Sequence, residues 1–248
     1  MKIIVDAMGG DLAPLAPVKG ALMAHERYGA DIILAGRTED ILRAMEQCGC
    51  KDLPKGVEIA NASEVVEICD DPATAFKHKK DSSLTVGLTM LRNGEADGFV
   101  SAGSTGALLA GATLVVKRVR GLRRAALAPT IPTAKGKAVL IDCGANAECT
   151  PEYLLQFAYL GNFYARRVLG VAKPRVALLN IGTEDSKGTD LQKQTLALLR
   201  QAGERGDLHF IGNIEAKEAI KGGCDVIVTD ATSCSRASRE WAPLPAPR

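Results

Sequence analysis

The residues best suited to chemistry sit in short polar turns, each directly after an apolar run. The most developed is Ser101-Ala-Gly-Ser-Thr-Gly-Ala-Leu-Leu-Ala-Gly111, which follows Gly98-Phe99-Val100 and opens an Ala/Leu/Val-rich segment. Small residues at a strand-to-helix turn let first-turn amides point outward, and those amides with the helix dipole attract anions. A tight structural turn has the same composition, so the stretch is informative mainly because the pattern recurs. It does so at Asp6, Gly9, Gly10 and Asp11; at Asp142 and Asn146; at Asn180, Gly182 and Lys187; and at Asp230. Lys187, between Ser186 and Gly188 in a turn rather than on a helix face, is the cation best placed to meet an anionic substrate, ahead of Lys79, Lys80 and Arg124. Backbone amides, hydroxyls, asparagines and a few cations suit a reaction driven by positioning and charge stabilisation.

Several other chemistries lack their residues. No G-x-G-x-x-G follows the first strand, no G-x-x-x-x-G-K-[ST] is present, and there is no G-x-S-x-G elbow. His25, His78 and His209 fall in no metal or triad spacing, so neither a metal nor another cofactor is expected. Cys143 lies at a strand end but has no histidine in a partner position, and it reads as a small buried thiol.

These turns need a scaffold. Apolar runs at residues 2–5, 31–35, 57–60, 97–100, 137–141, 175–179, 208–211 and 225–228 predict strands. Helical patterns at 18–28, 38–47, 82–91, 107–119, 151–169, 190–201 and 216–221 separate most of them. Residues 61–78 read as a loop or a short excursion. The alternation predicts an α/β fold with a mostly parallel sheet and helices on both faces. Ligands in such sheets bind outside the carboxyl ends of the strands, where the polar turns collect. With 248 residues, 46% of them apolar and 4% aromatic, the core must be built from Ala, Val, Ile and Leu. A net charge of +2 gives no case for nucleic-acid binding. No apolar run is long enough to span a bilayer. The odd count of seven cysteines without a CxxC pair, and an N-terminus that enters a strand directly, predict free thiols in a reducing cytoplasm. Residues 231–248, Ser/Arg-rich and then Pro/Ala-rich, show no period and read as disordered.

Taken together and in order, several motifs resemble the bacterial acyl-carrier-protein:phosphate acyltransferase family (PlsX). They are Asp6-Ala-Met-Gly-Gly-Asp11 with Pro14, Lys79-Lys-Asp-Ser-Ser83, Ser101-Ala-Gly-Ser-Thr-Gly-Ala107 and Asp142-Cys-Gly-Ala-Asn146. Pro151-Glu152, Asn180-Ile-Gly182, Lys187-Gly188 and Gly212-Asn-Ile-Glu215 complete the set. The resemblance covers residues 1–230. It implies one Rossmann-like α/β/α sandwich domain over that span, related to phosphate acetyltransferases and isopropylmalate dehydrogenases. It also implies conversion of acyl-carrier-protein and inorganic phosphate to acyl phosphate and free carrier protein, for phosphatidic acid and hence phospholipid synthesis. A cytoplasmic homodimer, peripherally associated with the inner face of the membrane, is implied as well. The expected catalytic residues are Lys187, Asn146 and Asn180. The expected substrate- and phosphate-binding residues are Asp6, Gly9, Gly10, Ser101, Gly103, Ser104, Thr105, Gly106, Lys80 and Arg124.

Three departures stand out. Ser104 replaces a common Asn, Ala125 replaces a common Pro, and Asp230 is followed by Ala231-Thr-Ser-Cys where the family continues with a Gly/Asn motif and helices. The expectation is therefore a chain with its C-terminal region missing or altered and its activity impaired. A coenzyme A-dependent phosphate acetyl- or butyryltransferase and a non-catalytic carrier-protein-binding remnant are the alternatives.

Overall fold

The computed structural model describes residues 1–72 and 74–241. The chain forms two compact units, Met1–Arg120 and Gly121–Arg248.

Unit 1 is a four-stranded parallel sheet in the order β3-β2-β1-β4, with β1 at Lys2–Asp6, β2 at Asp31–Gly36, β3 at Val57–Asn61 and β4 at Gly98–Val100. Its helices are α1 (Leu15–Tyr28), α2 (Thr38–Gln47), the single turn α3 (Ala75–His78), α4 (Ser83–Arg92) and α5 (Thr105–Gly111). Alternation along β2 explains why helices cover both faces. Ile32 and Leu34 pack on Val18, Ile41 and Met45 of α1 and α2, while Ile33 and Ala35 pack on the α4 side with Met90 and Leu91. Both sets are buried, so the strand reads as one continuous apolar run. Glycine lets α4 come close to the sheet: a Cβ on Gly87 would lie 2.3 Å from the Phe99 ring. The helix predicted over 107–119 begins two residues earlier, at Thr105, and beyond Gly111 widens into a π-helical turn, Ala112–Val116.

Unit 2 is a five-stranded sheet in the order β5-β6-β9-β7-β8. Its strands are β5 (Thr130–Thr133), β6 (Gly136–Ile141), β7 (Arg175–Leu179), β8 (His209–Ile214) and β9 (Val226–Val228). All pairings are parallel except β5 with β6. Helices α6 (Pro151–Arg167) and α7 (Asp190–Glu204) cover one face through Leu154, Phe157, Leu196 and Leu199. Helices α8 (Ala216–Ile220) and α9 (Ala231–Glu240) cover the other with small residues.

Two elements of unit 2 escape the sequence reading. Strand β5 carries Pro132, which reads against a strand, yet β5 is an edge strand paired only to β6 and tolerates a missing donor. The disorder expected after Asp230 is corrected over α9. Cys234 and Ala237, three residues apart, are buried on the α8 side, and the Trp241 Nε1 donates to Ala216 O at 3.0 Å. The apolar face is made of Cys and Ala, too small to register as a period. Residues 242–248, the remainder of that expectation, lie outside the described residues.

Candidate functional site

In each unit the polar turns lie at the carboxyl ends of neighbouring strands. In unit 1 the chain order reverses between β1 and β4, which pair Val5 with Val100. Asp6 and Ser101 therefore emerge side by side, and the Ser101 Oγ donates to Asp6 Oδ2 at 2.7 Å. The same Oγ accepts from Gly103 N at 3.1 Å, and Asp6 Oδ1 accepts from Met8 N at 3.1 Å. Asp6 is 4% exposed. Asp6 is thereby an internal brace of the two turns.

The turns also touch through glycine. A Cβ on Gly9 would lie 2.6 Å from Asp6 Oδ2, 2.8 Å from Ser101 Oγ and 2.9 Å from Gly103 N. Gly10 has φ +101, a left-handed conformation that glycine adopts freely. Ser104 caps α5, its Oγ accepting from Ala107 N at 3.3 Å. Ahead of Ala107, the amides of Thr105 and Gly106 have no carbonyl one turn back to bond, and both residues are exposed. The narrow cleft behind them, lined by Asp6, Val66, Ser83, Ser101 and Ser104, has room for about one water molecule. An anion the size of phosphate does not fit inside this cleft. Lys80 is exposed, and the hydrogen bonds go to its neighbour. Lys79 Nζ donates to Asp70 Oδ2 at 2.5 Å and to Val65 O at 2.8 Å, and that lysine holds the Asp70 carboxyl below its usual pKa.

In unit 2, β6 and β9 pair Ile141 with Val228 and deliver Asp142 and Asp230. Asp142 is fully buried and saturated with donors. Its Oδ1 accepts from the amides of Leu127, Gly144 and Ala145, and its Oδ2 accepts from the amide and the side-chain nitrogen of Asn146, all within 2.8–3.3 Å. These bonds turn the amides of the 144–146 turn inward. They also engage Asn146: its Nδ2 donates to Asp142 and, at 2.8 Å, to Ala125 O, so both side-chain N–H groups are spent inside the protein. The sequence reading missed Asp142 as the organiser of this turn, although an Asp closing a β-branched run and followed by Gly-Ala-Asn marks one.

Asp230 caps α9 through Ser233 N and Oγ, and it accepts from the Gln192 Nε2 at 3.2 Å. Gln192 in turn closes a capping box with Thr189 at the start of α7. The loop between β7 and α7 is thereby tied to the end of β9.

Asn180 braces that loop: Oδ1 accepts from Ile181 N at 2.8 Å and Nδ2 donates to Lys187 O at 3.1 Å. Gly188, at φ +85, leaves no room for a Cβ, which would sit 2.5 Å from Asn180 Oδ1. Lys187 lays its stem over Gly182 and is exposed, with no ion pair or side-chain hydrogen bond among the described residues. Arg124 is exposed above the Tyr153 ring, 5.6 Å from its centroid.

Thiol nucleophiles are poorly served here. Burial, then the Asp230 and Asp142 carboxylates, push the Cys149 thiol up to about 11, with Arg124 opposing. Burial, then Asp142, also raises Cys143. Both stay protonated at neutral pH, against the use of either as a nucleophile. Unit 2 also has a cleft of about 710 Å³ at the opposite, amino end of β8, lined in part by Arg166, Lys173, Arg200 and His209. Its Arg200 is already paired with Asp185. No helix among the described residues is long and apolar enough to cross a membrane, and no His/Cys/Asp/Glu group there could hold a metal ion.

Comparison with known proteins agrees with the arrangement. The fold is similar to a phosphotransacetylase from Streptococcus pyogenes, with a TM-score of 0.74 at 19% identity over 96% of this chain and 80% of that one. A family model described as "Fatty acid synthesis protein" matches residues 1–234. The phosphate acyltransferase of Alkaliphilus oremlandii is 46% identical over 231 residues, 93% of this chain and 67% of that protein. That of Desulfitobacterium hafniense is 45% identical, with 93% and 67% covered. The chain thus spans about two thirds of the length of these relatives. With nearly all of its residues inside one family model and close to half identical to these relatives, the chain belongs to the phosphate acyltransferase (PlsX) family of acyltransferases.

Proposed function

We propose that this chain transfers the acyl group of acyl-carrier-protein to inorganic phosphate, yielding acyl phosphate and free carrier protein for phospholipid synthesis. One observation carries the reading: 93% of the chain aligns at 46% identity with a protein named phosphate acyltransferase. The chemistry asks for what the turns offer. A phosphate oxygen attacks the thioester carbonyl, the C–O bond forms, the C–S bond breaks, and the departing thiolate takes the proton released by phosphate. No side-chain nucleophile is required, in keeping with the protonated Cys143 and Cys149.

Three anion-binding elements support the reading. One is the pair of unbonded first-turn amides of the exposed residues Thr105 and Gly106. The others are the two cations Lys187 and Arg124, neither of which has a carboxylate partner among the described residues. Asp6, Ser101, Asn146 and Asn180 hold the turns that present them. The family resemblance extends the proposal to a cytoplasmic homodimer that associates peripherally with membrane, which analytical ultracentrifugation and vesicle sedimentation test.

The deciding assay incubates the full chain with acyl-carrier-protein, with and without inorganic phosphate, and traps acyl phosphate with hydroxylamine. Phosphate-dependent product is expected from acyl-carrier-protein in preference to acyl-CoA. Preference for acyl-CoA would make the protein a coenzyme A-dependent enzyme, and carrier-protein binding without product would make it a binding remnant. Lys187→Ala is expected to lower turnover about 100-fold, the size of losing one transition-state donor. A change of only a few-fold removes Lys187 from the site.

A further inference from the structure

Arg124 and Lys187 are both exposed cations, yet the protein treats them differently. Lys187 Nζ makes no hydrogen bond or ion pair among the described residues, whereas the segment bearing Arg124 is held from two sides. On one side stands α6. Tyr153 lies beneath the guanidinium, 5.6 Å from Cζ to ring centroid. Gln156, three residues on and therefore on the same helix face, grips the backbone. Its Oε1 accepts from Arg123 N at 2.9 Å and its Nε2 donates to Gly121 O at 3.4 Å. On the other side stands the carboxyl end of β6. Asn146 Nδ2 donates to Ala125 O at 2.8 Å, Asp142 Oδ1 accepts from Leu127 N at 2.9 Å, and Cys143 N donates to Leu127 O at 3.1 Å.

A segment of seven residues, 121–127, thus has its backbone fixed at Gly121, Arg123, Ala125 and Leu127. The side chain at its middle, Arg124, rests on an aromatic face and has no carboxylate partner among the described residues. A free arginine loses much rotamer freedom when it grips a ligand. One already seated on a ring has lost part of it, and its planar fork stays open for two parallel bonds to a tetrahedral oxyanion.

We propose that Arg124 is the preorganised phosphate-binding group of unit 2, and that Tyr153, Gln156 and the Asp142–Asn146 pair are its positioning residues. The proposal rests on the acyltransferase reading for the identity of the anion, but it concerns binding and is measurable without turnover. Inorganic phosphate is titrated calorimetrically into the full chain and into Arg124→Gln, Tyr153→Leu, Tyr153→Phe and Gln156→Ala, with thermal unfolding recorded for each.

Arg124→Gln is expected to weaken phosphate at least about 10-fold, the scale of a charged hydrogen bond. Tyr153→Leu is expected to weaken it about 2- to 5-fold, the scale of an exposed cation–π contact, and Tyr153→Phe restores the parental affinity because the ring is kept. Gln156→Ala gives a smaller loss in the same direction without touching the arginine, so the inference stands or falls even if Tyr153→Leu does not fold. In turnover assays Tyr153→Leu and Gln156→Ala raise the KM for phosphate more than they lower kcat, and Tyr153→Phe behaves as the parent does. Unaltered phosphate affinity in Arg124→Gln overturns the binding role. Equal affinities for parent, Tyr153→Leu and Gln156→Ala, with Arg124→Gln weakened, overturn the positioning role. Intact phosphate binding with no acyl phosphate formed counts against the acyltransferase reading and leaves this inference standing.

Discussion

The two units solve one problem by different means. Each must bring the turns after two neighbouring parallel strands into contact and hold them. Unit 1 does so by removing atoms: Gly9 has no side chain, so Asp6, Ser101 and Gly103 close to within a few ångströms of its Cα, and a single hydroxyl relays between carboxylate and amide. Unit 2 does so by adding bonds: Asp142 N donates to Thr229 O across the ends of β6 and β9, Gln192 Nε2 donates to Asp230, and the Asp142 carboxylate collects N–H groups from Leu127 and from its own turn at Gly144, Ala145 and Asn146. The first arrangement is limited by volume and the second by hydrogen-bond satisfaction. Their responses to substitution should differ in kind as well as in size.

The largest effect is expected from Asp142→Ala. The carboxylate is 0% exposed, and its loss strands the buried amide of Asn146 and the partly buried amides of Leu127, Gly144 and Ala145, at about 1–3 kcal/mol for each one that water does not reach. A total loss of at least about 3 kcal/mol in urea unfolding is expected, because the turn can relax only partly. A loss below about 1 kcal/mol would mean that water or a rearranged turn replaces the carboxylate, and the contrast between the units would disappear.

Gly9→Ala is the matching test in unit 1. One methyl group would sit 2.6–2.9 Å from three polar atoms, including a backbone nitrogen that cannot swing aside. Overpacking of this kind costs about 1–3 kcal/mol. The clash also pushes Gly103 outward, so a change in amide exchange at Thr105 and Gly106 should accompany the loss. Ser101→Ala, which keeps the space and removes the relay, should cost only about 1 kcal/mol. If Ser101→Ala proves the more damaging of the two, hydrogen bonding and not volume governs unit 1.

Much of this scaffold is legible in the sequence because its signals are local. Strands such as Ile32-Ile33-Leu34-Ala35 read as unbroken apolar runs, and the turns after them show their glycines and carboxylates openly. What stays hidden depends on partners remote in sequence. Strand β5 depends on β6 beside it and on open solvent beyond, which excuses Pro132. Helix α9 depends on a floor that accepts Cys234 and Ala237. The role of Asn146 depends on Ala125, 21 residues earlier. An asparagine in a polar turn looks like a ligand until both of its donor hydrogens are found bonded within the protein. The same holds for Asp6, whose residue type alone does not distinguish a brace from a binding group.

The smallest effect separates bonding at the carboxyl end of the unit 2 sheet from bonding at its amino end. Before β9, Asp225 accepts from Arg175 N at 2.8 Å and pairs with the guanidinium, 2.9 Å from Nη2 to Oδ1. Burial works to raise its pKa, but the side-chain and backbone bonds from Arg175 outweigh that, and the carboxyl sits below its usual value of 3.8. A depressed folded pKa makes a contribution that is fully present above the unfolded value and fades as pH falls through the folded one. Asp225→Asn should therefore cost about 1 kcal/mol at neutral pH. That gap should hold down to about pH 5 and shrink below about pH 4 as the parent carboxyl protonates. Unfolding midpoints for parent and variant between pH 7 and pH 3 measure the gap. A difference that is constant through pH 3, or that widens, would show that shape and not charge holds this end of the sheet, as volume does in unit 1.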